Sequence, residues 1–225
     1  MNEIASKWRY AITSSGRKTK FLPKTPITFT VKNGLDSCLV CEDDLKVELS
    51  FAGTQGTWPD WGENFEVCAN RDGIHHGYAD AMDCFLTTDF IDYIKGAIVF
   101  GKDIEGSGHS QGIQICVLAY YLFKRYGIRM RRIVHFGCPP WGLRRACDVL
   151  DSFCTTTRVF TLNDPVPLRC LGMHREGSAL EINGSRLGRL FGAFDHDYPV
   201  YTKGVRDYSA SIGDIEGVKA MNLLL

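Results

Sequence analysis

The chain has 225 residues, 44% of them hydrophobic and 23% charged, and a formal net charge of zero. That length suits one domain with a sizeable core, and the zero balance excludes bulk attraction to nucleic acid or to an acidic membrane. Residues 1–20 hold no apolar run of signal-peptide length, and no stretch is long enough to cross a bilayer, so neither a leader nor a transmembrane segment is expected. The nine cysteines, an odd number, then read as reduced thiols of an intracellular, cytoplasmic protein.

Residues 1–37 read as an irregular N-terminal section, locally basic at Lys7, Arg9, Arg17, Lys18, Lys20 and Lys24, with a short strand at 27–31. Residues 36–48 are locally acidic, and both charge runs read as solvated faces. Cys38 and Cys41 form the only C-x-x-C; a zinc site would need a second pair, which the chain lacks, so no metal and no organic cofactor is expected. The catalytic core is expected over 38–203, followed by a C-terminal tail at 204–225.

Within that core, residues 45–51 alternate apolar and polar, the pattern of a strand, and 55–60 form a loop rich in breakers. Residues 65–68 suit a second short strand. Ala79, Met82, Leu86, Phe90, Tyr93, Ile94 and Ala97 recur every three or four residues, which predicts a helix with one buried face. A strand and bend at 102–107, a strongly apolar helix at 113–123, a strand at 132–137, a helix over 141–152 and strands at 158–163 and 178–182 follow. Strands alternating with helices predict an α/β fold: a mostly parallel central sheet with helices on both faces. In such sheets functional residues collect at the carboxyl ends of strands, where Thr54, Ser110 and Asp164 all fall.

Gly108-His109-Ser110-Gln111-Gly112 has the G-x-S-x-G form of a nucleophile elbow, set between a predicted strand and a predicted helix. A serine hydroxyl needs a base, normally a histidine oriented by a carboxylate, in the chain order Ser, Asp, His. Ser110, Asp164 and His196 have that order. His75, His76, His109 and His135 precede Asp164. His174 follows it by too short a loop, and His196 leaves room for an intervening strand, so His196 is favoured. The oxyanion hole needs two backbone donors. One is the N–H of Gln111; the other falls at Gly53-Thr54, where Thr54 either adds its hydroxyl or closes an ordinary turn.

These motifs together resemble the class 3 (fungal-type) triacylglycerol lipases of the α/β-hydrolase fold over about residues 45–200. The segment Leu49-Ser50-Phe51-Ala52-Gly53-Thr54 is similar to the family's oxyanion strand, and Asp60-Trp61 to the pair that follows it. Ile74-His75-His76-Gly77-Tyr78, the Ser110 pentapeptide, Phe136-Gly137-Cys138-Pro139 and Asn163-Asp164-Pro165-Val166-Pro167 match further motifs in order. His196-Asp197-Tyr198 stands at the family's catalytic histidine. The resemblance implies Ser110 as nucleophile, Asp164 as orienter, His196 as base and Thr54 with Gln111 as oxyanion hole, with His75 in a supporting place. It implies hydrolysis of a lipid or small acyl ester, with at most transient contact with a membrane surface. Ala52 stands where the family has arginine, Ile113 where it has a second glycine, and the interval from Thr54 to His75 is short. A small or absent lid follows, and an esterase or monoacyl lipase fits better than a triglyceride lipase. An inert lipase-like binding module, or an acyltransferase, thioesterase or amidase using the same triad, are the rival readings.

Overall fold

The computed structural model describes residues 1–14, 27–30, 37–53, 69–168, 173–184 and 196–225. Seven strands form one sheet in chain order: β1 (Ile27–Thr30), β2 (Ser37–Glu42), β3 (Lys46–Phe51), β4 (Asp103–His109), β5 (Arg132–Phe136), β6 (Thr155–Phe160) and β7 (Ser178–Glu181). β1, β2 and β3 pair antiparallel; every pair from β3 to β7 is parallel. Parallel neighbours need crossovers. The helices α2 (His76–Phe85) and α3 (Thr88–Val99) lie between β3 and β4, α4 (Gln114–Tyr126) between β4 and β5, and α5 (Arg144–Asp151) between β5 and β6. The remaining helices among the described residues are α1 (Glu3–Ser14), α6 (Tyr198–Ser211) and α7 (Ile215–Asn222).

Strand periodicity sorts side chains to the two faces. Val47, Leu49, Phe51, Ile104 and Ile133 join the core formed with α2 to α5. Val134, Phe136 and Val159 point the other way, into a second core with Trp8 of α1, Tyr201 and Val205 of α6, and Met221 of α7. The expected α/β architecture with helices on both faces is therefore present.

Several elements differ from their sequence reading. The N-terminal section, expected to be irregular, holds α1, whose Ile4, Ala5, Trp8, Ala11 and Ile12 line one buried face. Lys7, expected in solvent, is buried and ion-paired with Glu48 of β3 and Glu105 of β4. The expected C-terminal tail is helical, and the two ends of the chain are joined: the Met1 ammonium pairs with Glu216 at 2.7 Å, and the Asn2 N–H donates to Asp214 at 2.6 Å. The helix expected across 79–97 is two helices. Leu86 ends α2, and Thr87 caps α3 by accepting from the Phe90 N–H. The strand expected at 158–163 starts three residues earlier, at Thr155, because Thr155, Thr156 and Thr157 are β-branched. The acidic stretch contains β2, whose Cys38 and Cys41 are buried. Three residues apart on a strand, these two thiols face opposite sides of the sheet and cannot share one ion. The strand expected at 65–68 and most of the lid interval, residues 54–68, lie outside the described residues.

Candidate active site

β4 ends at His109, and Ser110 opens a tight 3-10 turn, Ser110–Ile113, that leads into α4. Ser110 has φ +56°, the one non-glycine residue among those described in the left-handed region. Holding a side chain there costs of order 1–3 kcal/mol, which packing must offset. The flanking glycines make the bend possible by close approach. A methyl on Gly108 would lie 2.2 Å from the Gly112 oxygen, and one on Gly112 2.7 Å from the Phe51 oxygen. Ile113, which departs from the second glycine of the related motif, is wholly buried in the α2–α5 core. The Ser110 hydroxyl is buried and has no hydrogen-bond partner among the described residues.

Asp164 follows β6 in a turn closed by its own N–H on the Thr161 carbonyl, 3.2 Å away. Its carboxylate is fully buried. It accepts from His196 Nδ1 at 2.9 and 3.0 Å, from the Val166 N–H at 2.9 Å and from the Tyr201 hydroxyl at 2.6 Å. A carboxylate can only accept, so Nδ1 of His196 carries the hydrogen and Nε2 holds the lone pair. Burial, together with the facing Asp164 carboxylate, pushes the Tyr201 phenol well up, so it stays a donor.

His109 links this pair to the elbow. Its ring stacks on His196 at 4.9 Å, and its Nε2 donates to the His196 carbonyl at 3.1 Å. Trp8 of α1 meets the His109 ring edge-on at 5.4 Å and is itself pinned by Nε1 to Thr202 at 2.9 Å. The end of β3 reaches the same place: a methyl on Gly53 would lie 3.4 Å from Ser110 Cβ.

No family model matches the sequence, and no curated protein matches it. Solved structures do match. Lipase II from Rhizopus niveus is 19% identical with a TM-score of 0.67, covering 80% of this chain and 80% of that one. Lip2 lipase from Yarrowia lipolytica is 14% identical, TM-score 0.61, covering 80% and 78%. A triacylglycerol lipase from Penicillium expansum is 16% identical, TM-score 0.58, covering 81% and 80%.

The chain has the fungal-lipase fold.

On this lipase fold the serine, aspartate and histidine expected from the sequence all fall around the carboxyl end of the sheet. Asp164 and His196 are in direct contact, and Ser110 is tied to His196 through its neighbour His109. Gln111 follows the serine in the 3-10 turn. Thr54 lies outside the described residues, one position beyond Gly53. His75, expected near the site, is buried against Tyr78 at 4.7 Å, and its N–H donates to the Trp141 carbonyl. Three contributors escaped the sequence reading: Tyr201, the Val166 N–H and Trp8. The sequence reading gave Tyr201, near the end of the expected core, no role, and a helix period after His196 was the signal available.

Proposed function

We propose that the protein is a serine hydrolase that cleaves carboxylic esters, of lipids or of small acyl groups, through an acyl-enzyme on Ser110. One observation carries the reading: a buried His196–Asp164 pair beside a serine held in the left-handed region at a strand end. His196 Nε2 takes the Ser110 proton as Oγ attacks the ester carbonyl. The tetrahedral oxyanion rests on the N–H of Gln111, with Thr54 as second donor. His196 then protonates the departing alcohol and activates water to release the acid. Asp164, fixed by its three donors, orients the ring and stabilises the imidazolium. Contact with a lipid surface is transient in this reading: no helix among the described residues is long and apolar enough to cross a membrane. Six described cysteines are unpaired and buried, in keeping with a reducing, intracellular setting.

A fluorophosphonate probe should label the folded protein at Ser110 and not the heat-denatured chain. Ser110→Ala should abolish labelling and lower aryl-ester turnover by about 10⁴-fold or more. Labelling absent from the folded wild type would leave an inert binding module on the lipase fold. A panel of esters of rising chain length, a thioester and an amide separates the esterase from its acyl-transfer rivals.

A further inference from the structure

Three side chains that acyl transfer does not use meet on the α4 face of the sheet. Cys116 comes from the first turn of α4, His135 from β5 and Glu176 from the segment before β7. They are 0%, 3% and 1% exposed. One ligand atom from each lies within 4.8 Å of the other two. His135 Nε2 stands 2.7 Å, and Cys116 Sγ 3.3 Å, from the same oxygen, Glu176 Oε1. Trp141 Nε1 donates to Oε2 and fixes the rotation of the carboxylate. Among the described residues, the only ion-pair partner of this fully buried carboxylate is His135.

Tetrahedral zinc with sulfur at about 2.3 Å and nitrogen or oxygen at about 2.0–2.1 Å separates neighbouring ligand atoms by about 3.3–3.6 Å. The sulfur–oxygen spacing already fits, the ring would withdraw from the carboxylate by about 0.6 Å, and the sulfur–nitrogen pair, within 4.8 Å, would settle at about 3.6 Å. A thiolate and a carboxylate carry the two negative charges that cancel a dication, so the loaded site is neutral, as burial requires. A soft thiolate with an imidazole selects zinc over magnesium or calcium. Beside His135 lies a cavity of ≈ 250 Å³, lined also by Cys138, Arg158, Phe160 and Arg175.

We propose that Cys116, His135 and Glu176 form a structural site for a zinc-class divalent cation, tying α4, β5 and the approach to β7 together. The competing arrangement is the same trio joined by hydrogen bonds alone. Spacing could not reveal the site, because Glu176 is 41 residues from His135 and 60 from Cys116.

The full chain, purified under reducing conditions and incubated with Zn²⁺, is desalted and analysed by plasma mass spectrometry. The expected result is about one zinc per chain, with a rise in melting temperature. Cys116→Ser and His135→Gln should each weaken binding by about tenfold or more, whereas Cys41→Ser should bind as wild type does. Co²⁺ in place of zinc should give a thiolate-to-cobalt charge-transfer absorption in wild type and Cys41→Ser, lost in Cys116→Ser. Undiminished uptake by a folded Cys116→Ser chain overturns the proposal. Should that variant fail to fold, the wild type alone decides: no ion retained, or cobalt bound without the thiolate absorption, overturns it equally. Ser110 labelling plays no part in these readouts, so their failure leaves the acyl-transfer reading untouched.

Discussion

The Asp164 carboxylate shows how few atoms hold the histidine in place. It receives His196 and, from α6, Tyr201, in a buried setting where each bond to a charged acceptor is worth about 1.5–3 kcal/mol. Tyr201→Phe keeps the ring in its core and removes only the donor. We expect the rate of Ser110 labelling to fall by about tenfold or more, with KM for an aryl ester little changed. A melting temperature lowered without any change in labelling rate would reduce Tyr201 to a packing residue. At this scale the sequence was most legible. Ser110, Asp164 and His196 carry their meaning in short patterns, because a strained turn needs its glycines and a serine needs a base. Tyr201 carries no such pattern: its role arises from where α6 docks.

The element that changes the picture most is α1. Its amphipathic period lays Trp8 and Ile12 on the sheet, but the strand residues beneath it are polar: Glu48 and Ser50 of β3, Glu105, Ser107 and His109 of β4. Lys7 answers the two carboxylates, with Lys46 3.0 Å from Glu105 at the edge. The 45–51 alternation was legible as a strand. That its polar side is roofed by a helix was not, because the same alternation also suits a strand with one face in water. Burial works to raise the Glu105 pKa, but the hydrogen bonds from Lys7 and Lys46 outweigh it and hold the group at about 2. A lowered folded-state pKa contributes stability above the ordinary carboxylate range, and that contribution is lost as pH falls towards 2. Removing one partner of a buried pair costs about 3–5 kcal/mol. Lys7→Met should therefore lower urea stability at pH 7 by about that amount and flatten its fall between about pH 4.5 and pH 2. Unaltered acid sensitivity in the variant would mean that Lys7 does not set the Glu105 charge.

At the scale of the whole molecule, the two ends of the chain close the face of the sheet opposite α4. Met1 and Asn2 bind Asp214 and Glu216 at the start of α7, α6 packs alongside α1, and Trp8 supports His109, which stacks on His196. Deleting residues 1–14 should thus impair the site as well as the core, leaving a chain that melts less cooperatively and is not labelled at Ser110. Full labelling of the truncated chain would show α1 to be dispensable cladding. The sequence by itself determined the α/β class, the order of strands 3 to 7 along the chain and the residues that fill the elbow and its expected partners. These are local properties, written in periodicity and in the glycines a tight bend demands. Only the tertiary structure decided that the N-terminal section is a helix over a polar sheet face, that one predicted helix is two, and that Asp164 is held from three directions. Each depends on which distant surfaces meet, and the pairing of Lys7 with Glu48, or of Cys116 with Glu176, leaves no trace in the spacing of residues along the chain.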